Sequence, residues 1–151
     1  MRISGVLTCS LVNGEGVRYV IFTQGCAHAC EGCHNKDTWD FNGGYEADLD
    51  SLVADIRKRR HYLDGITLSG GDPFYQHDEC VRLLRMLPEM NVWIYTGFYY
   101  EDICDTELAK MADVIVDGPF VEELKCEGHY FGSSNQRIIK PKELIQHGGL
   151  E

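Results

Sequence analysis

Apolar side chains recur along the chain in two rhythms. From Val17 to Thr23, VRYVIFT, β-branched and aromatic residues run almost without a break. That pattern suits a strand covered on both faces, as in a parallel sheet. Similar short runs stand at Ile66–Ser69, Val92–Thr96 and Val114–Asp117, and each stops at a glycine: Gly70, Gly97 and Gly118. Between them the spacing turns helical. Leu49, Leu52, Val53 and Ile56 fall at i, i+3, i+4 and i+7, predicting a helix from Ala47 to near Arg60 that Asp48 or Asp50 can cap. Cys80, Leu83, Leu84 and Leu87 mark a second helix over Asp78–Leu87 with Pro88 as its stop, and a weaker one runs from Glu101 to Met111. Arg137-Ile138-Ile139 suits an edge strand.

Strands alternating with helices predict a parallel α/β sheet. A closed eight-stranded barrel takes about 250 residues, and this chain has 151. The expectation is therefore an open, partial (β/α) barrel of about four to six mostly parallel strands. No linker-like segment divides it, so residues 1–151 read as a single domain. A cysteine loop, Gly70-Gly71-Asp72, Thr96-Gly97 and Asp117 each follow the C-terminal end of a predicted strand. In parallel α/β folds those ends share one edge, where ligands bind.

Composition narrows the function. The net charge is -10, which argues against a sequence-independent nucleic-acid binder, whose affinity rests on surplus Lys and Arg. The basic run Arg57-Lys58-Arg59-Arg60 closes the first predicted helix, where cations suit the dipole. No apolar run approaches the ~18 residues of a membrane-spanning helix. The opening residues MRISGVLTCSLVNGEG are too polar for a signal peptide. A cytosolic protein is expected, with no membrane or nucleic-acid partner. Its seven cysteines then point to metal or redox chemistry more than to disulfides.

Three of those cysteines crowd into TQGCAHACEGCHNKDTW as C-x3-C-x2-C: Cys26, Cys30 and Cys33. Their flanks, Gln24, His28, Glu31, His34 and Asn35, are polar, as befits a ligand loop. Zinc would need a fourth ligand, which His28 or His34 could supply. A redox pair at Cys30 and Cys33 would leave Cys26 without a purpose. A four-iron cluster held by three thiolates would leave one iron open to a non-protein ligand. Cys9, Cys80, Cys104 and Cys126 have no spaced partner and are expected in the core as small hydrophobes. Gly70-Gly71-Asp72-Pro73 fits an ordinary turn. Two glycines also let backbone approach a ligand, and Asp72 offers an acceptor suited to an ammonium group.

The cysteine spacing followed by Gly-Gly-Asp-Pro resembles the radical S-adenosylmethionine superfamily. Val12-Asn13-Gly14-Glu15-Gly16, CEGCHNKDTW, LSGGDP, WIYTGF, VIVDGPF and GSSNQR resemble its small activating proteins of the anaerobic (class III) ribonucleotide reductase. The likeness runs over most of the chain. Gly32 stands where many superfamily members carry an aromatic residue, a feature the small activases share. CHNKDTW also resembles the activase of pyruvate formate-lyase, which is usually longer.

The resemblance implies an enzyme, an oxidoreductase of the glycyl-radical-generating kind. Cys26, Cys30 and Cys33 would hold a [4Fe-4S] cluster whose open iron chelates S-adenosyl-L-methionine. Gly70, Gly71 and Asp72 would meet the methionine ammonium. Gly32, Cys33 and His34 would lie against the nucleoside, with Thr96 and Asp117 as further cofactor contacts. Reductive cleavage would give a 5'-deoxyadenosyl radical that takes hydrogen from a glycine of the partner, and no catalytic acid or base is assigned. The implied partners are the reductase large subunit, through its glycyl-radical domain, and a low-potential electron donor such as flavodoxin. An activase of another glycyl-radical enzyme, of the pyruvate formate-lyase type, and a non-catalytic zinc module are the alternatives. A plain electron carrier would normally ligate every iron with protein thiols.

Overall fold

The computed structural model describes residues 1–28 and 38–146, with the side chains of Ile145 and Gln146 outside that description. Among the described residues seven strands form one sheet. They are β1 (Arg2–Ser10), β2 (Arg18–Thr23), β3 (Tyr45–Glu46), β4 (Gly65–Gly70), β5 (Asn91–Tyr95), β6 (Val114–Asp117) and β7 (Arg137–Ile139). Across the sheet the order is β3-β1-β2-β4-β5-β6-β7. The central β2, β4, β5 and β6 are parallel. β1, β3 and β7 pair antiparallel at the flanks.

Seven strands exceed the expected four to six, and the surplus lies at the N-terminal flank. β1 occupies the segment whose polar residues offered no strand signal. It is an antiparallel strand with Leu7 and Cys9 facing solvent, and such strands tolerate a polar face. β3 has only two residues, too few for any periodicity.

The helices are α1 (Leu49–Arg59), α2 (His77–Arg85), α3 (Tyr100–Ile103), α4 (Glu107–Met111) and α5 (Pro141–Gln146). Asp48 caps α1 by accepting from Ser51 N at 3.1 Å. The basic run ends that helix as expected. Arg59 pairs with Asp55 one turn back, and Arg57 donates to Met86 O at 2.6 Å. The helix expected over Glu101–Met111 is two. Thr106 caps a new start by accepting from Ala109 N at 3.2 Å, so the side chain that opens α4 also ends continuity with α3.

One core cluster joins Tyr19, Ile21, Ile66, Leu68, Ile94 and Ile115 of the sheet to the apolar faces of α1 through α4, and Leu144 of α5 packs against it. The helices therefore lie on one face. Parallel strands taken in chain order across a sheet, joined by right-handed crossovers, produce this one-sided arrangement.

The opposite face carries Trp93, Val114 and Val116, with Tyr95 and Phe131 packed against them. Arg18 lies here, 1% exposed. Its guanidinium donates to Thr67 Oγ1, Ile66 O, Glu15 O and both oxygens of Asn91 at 2.7–3.0 Å, and stands 5.6 Å from the Trp93 ring centroid. Burial pushes its pKa down to about 10, still charged at neutral pH.

Candidate active site

The C-terminal ends of β2, β4, β5 and β6 meet around a cleft of about 300 Å³, within the range of small-molecule sites. Cys26, Gly70, Gly71, Thr96 and Gly118 line it, joined by Asn13 from the loop before β2.

Backbone hydrogen bonds fasten the base of the cysteine loop. Gly25 N donates to Thr38 O at 2.6 Å and Cys26 N to Trp39 O at 3.1 Å. The chain between these anchors leaves and returns at one place. Cys30, Gly32, Cys33 and His34 belong to it and lie outside the described residues, so among the described residues no metal-ligand group is complete.

The Gly70-Gly71 turn locks onto the same base. Gly71 N donates to Thr23 O at 2.7 Å and Asp72 N to Gly25 O at 2.9 Å. Gly70 has φ 96°, in the left-handed region that favours glycine. A Cβ there would overlap the backbone of Thr23, and one at Gly71 would overlap Gly25 O and come within 2.8 Å of Thr38 O. The glycines are thus required by chain packed on their Cβ side, while they border the cleft as well.

Asp72 is 0% exposed and ties three segments together. Its Oδ1 accepts from Phe74 N at 3.1 Å, and Thr96 Oγ1 lies 3.0 Å from Oδ1 and 2.8 Å from Oδ2. Gly97 N donates to Oδ2 at 2.9 Å, and His28 Nε2 lies 2.7 Å from the same oxygen. The His28 ring lies edge-on to Phe98 at 4.6 Å between centroids and near Tyr75 at 5.8 Å. A zinc-ligand role for Nε2 of His28 would require giving up that contact.

Asp117 is likewise fully buried, and like Asp72 it is not part of the cleft lining. It accepts from Tyr100 N at 2.7 Å and from Arg137 Nε at 3.1 Å and Nη2 at 2.5 Å. Arg137 also forks onto Glu101 through two 2.7 Å bonds. Asp117 therefore joins β6, β7 and the start of α3.

Of the four other cysteines, Cys80 is the core residue expected, its thiol pushed well up by burial. Cys9 is exposed and Cys104 and Cys126 are partly buried, so the expected core placement fails for those three.

The donor set fits an iron-sulfur cluster. The described thiol, Cys26, stands at the cleft on an anchored loop that carries two more within seven residues, and the cleft beside it has room for a second group.

Comparison with known proteins agrees. The family model for a 4Fe-4S single cluster domain matches residues 12–139. The chain is 37% identical over 147 residues to the anaerobic ribonucleoside-triphosphate reductase-activating protein of Enterobacteria phage T4, covering 91% of this chain and 93% of that one. It is 34% identical to the protein of that name from Salmonella typhi (91% and 97% covered) and 35% to that of Escherichia coli K12 (85% and 91%). The chain belongs to this family. Among solved structures, QueE from Escherichia coli superposes with a TM-score of 0.49 at 19% identity, over 64% of this chain and 51% of that one.

The matched family region encloses every site residue named above, including three that motif reading passed over. Gln136 holds the tail against the cleft, donating to Gly118 O at 2.9 Å and accepting from Gly132 N at 2.8 Å. Asn13 fixes the loop before β2, its carbonyl accepting from Thr67 Oγ1 at 2.6 Å. Tyr95 lines the cleft from β5. All three fall in segments that carried the resemblance, GSSNQR, VNGEG and WIYTGF, so their sequence signal was present but unassigned.

Proposed function

We propose that this protein is the glycyl-radical activating enzyme of an anaerobic ribonucleoside-triphosphate reductase. The observation that carries it is the meeting of Cys26 with Gly70 and Gly71 at one cleft on the C-terminal edge of the parallel strands, with Asp72 buried directly behind that turn, in a chain whose relatives bear that activity in their name. Cys26, Cys30 and Cys33 hold the [4Fe-4S] cluster. When bound, the reduced cluster and S-adenosyl-L-methionine supply a one-electron cleavage to methionine and a 5'-deoxyadenosyl radical, which removes hydrogen from a glycine of the reductase.

The chain's own residues bind and orient. Gly70, Gly71 and Asp72 receive the methionine ammonium; Asp72 is aimed by Thr96 Oγ1 and Gly97 N. Gly32, Cys33 and His34 lie against the nucleoside. Thr96 borders the cofactor, and Asp117 acts at one remove by fixing Arg137 and the start of α3. Residues 1–151 work as one domain, a partial (β/α) barrel whose open side admits the glycyl-radical domain. The protein acts in the cytoplasm, with a low-potential donor such as flavodoxin supplying the electron.

The test is to mix anaerobically reduced protein with S-adenosylmethionine and the reductase and to look for a glycyl radical by electron paramagnetic resonance. Its appearance, lost in Cys30→Ala, is the expected result. Zinc-loaded, iron-free protein from anaerobic preparation would remove the proposal. A radical formed only on pyruvate formate-lyase would transfer it to that partner.

A further inference from the structure

The last turns of α1 and α2 gather positive charge in an acidic chain. Arg57, Lys58 and Arg59 close α1, Arg60 caps it, and Arg82 and Arg85 close α2. These are six of the fourteen Lys and Arg in a protein of net charge -10. The bond from Arg57 Nη2 to Met86 O, 2.6 Å, brings the two helix ends together. Arg59 pairs with Asp55, and Arg85 with Glu107. Lys58, Arg60 and Arg82 are exposed, and among the described residues no carboxylate stands within salt-bridge distance of them.

Cations suit a helix C-terminus, where the dipole places about half a negative charge. Two helix ends offset about one of the six, and Asp55 and Glu107 offset about two more. With Glu89 of the turn after α2 also set against them, about two positive charges remain. The dipole therefore explains part of this patch and leaves a surplus.

The patch lies away from the cleft. α1 ends before β4 begins and α2 before β5 begins, so both helix ends stand at the N-terminal edge of the parallel strands. The cleft is at the opposite edge, beyond the six residues of β4, about 20 Å away. An electron donor has to bring its redox group to the cluster, and the target glycine has to enter the cleft, so neither reacting group belongs here. Nucleic acid fits poorly, because its affinity needs many neutralised phosphates and the chain as a whole repels a polyanion. Carboxylate-rich protein surface fits well. Arginine binds carboxylates in a fork, and a local positive patch orients an acidic partner that the rest of the surface repels.

We propose that the joined ends of α1 and α2 dock an acidic segment of the reductase, outside its glycyl-radical domain, while the cleft stays free to take the glycine. This rests on the function proposed above.

Charge reversal tests it. Cluster-loaded Lys58→Glu/Arg60→Glu/Arg82→Glu should bind the purified reductase at least about tenfold more weakly than wild type, chiefly through slower association, by anaerobic biolayer interferometry. The gap should close to within about twofold at about 0.5 M salt, where exposed charges are screened. The same three residues changed to Gln should fall between, and that variant decides the matter should reversal unfold the helix ends. Iron content, and cleavage of S-adenosylmethionine to 5'-deoxyadenosine without the reductase, should match wild type. Lys125→Glu, an exposed lysine beyond β6, is the control and should bind within about twofold of wild type. Wild-type affinity in the reversed variant overturns the inference. So does a loss that salt does not erase, an equal loss in Lys125→Glu, or a loss of flavodoxin or duplex DNA binding with the reductase unaffected. Wild-type protein that binds no reductase overturns the proposed partner and this inference with it.

Discussion

Nε2 of His28 lies 2.7 Å from Oδ2 of Asp72, on the same oxygen that accepts Gly97 N. The histidine comes from the cysteine loop and the aspartate from the turn after β4, so this contact joins the two halves of the site. It also occupies the carboxylate that the proposed function reserves for an ammonium. His28→Ala vacates that place at the cost of one hydrogen bond, worth about 1 kcal/mol. The variant should bind S-adenosylmethionine about fivefold more tightly. Asp72→Asn should bind at least about tenfold more weakly, since the charge that attracts the ammonium is gone. Dialysis on cluster-loaded protein measures both. Weaker binding by His28→Ala would mean that the histidine aids the ligand instead of standing in its place.

Gly71→Ala should act on the cluster before it acts on the cofactor. The added methyl group would press on Gly25 O and Thr38 O, the carbonyls that anchor the base of the cysteine loop. Iron and sulfide per chain should fall by about half or more, because metal held by a displaced ligand is released readily. Gly5→Ala, where an added Cβ meets nothing within 4 Å, is the control and should keep full iron. Full iron in Gly71→Ala would show that the loop base yields without harm.

These two cases also mark how far the sequence could be read. The parallel strands were legible because Ile66, Leu68, Ile94 and Ile115 sit in apolar runs that end at glycine, and a buried parallel strand leaves little choice of residue. The convergence of Cys26 with Gly70-Gly71 followed from those strand ends. β1 was not legible, since an antiparallel flanking strand with Cys9 and Leu7 outward breaks the apolar run. Nor were the partners of the two buried aspartates. Asp72 meets Thr96 and His28, and Asp117 meets Arg137; such pairings depend on tertiary placement, for which neither periodicity nor turn chemistry carries a signal. Asp72 looked like a bare acceptor and is a crowded one.

Arg18 should matter far more than its position opposite the helices suggests. Its donors satisfy Thr67 Oγ1 and Ile66 O in the buried interior, and Glu15 O and Asn91 at its margin. Arg18→Met keeps much of the volume and removes every donor, leaving buried acceptors unpaired at about 3 kcal/mol in total. With a urea m-value of about 2 kcal/mol/M, the midpoint should drop by about 1.5 M. Iron content should be unaffected, because Arg18 begins β2 and Cys26 lies beyond the far end of that strand. A midpoint unchanged within about 0.3 M would mean that the sheet relaxes around the loss.

The outer edge of the sheet should report its own acid transition. Arg137 forks onto Glu101 and holds that carboxyl down to about 2 from an ordinary value of 4.5. A carboxyl whose folded pKa is depressed adds stability that is complete above its unfolded value and fades as pH falls through the folded one. Glu101→Gln should therefore unfold at a lower temperature than wild type at pH 7, and the two should converge as pH falls from about 4.5 to about 2. The pair is exposed, so the gap should be small and should shrink with salt. Arg137 keeps its bonds to Asp117 in this variant, so β7 should stay in place and the comparison isolates Glu101. Thermal midpoints across that range measure it, and a gap of constant size from pH 7 down to about 2 would place the acid sensitivity elsewhere.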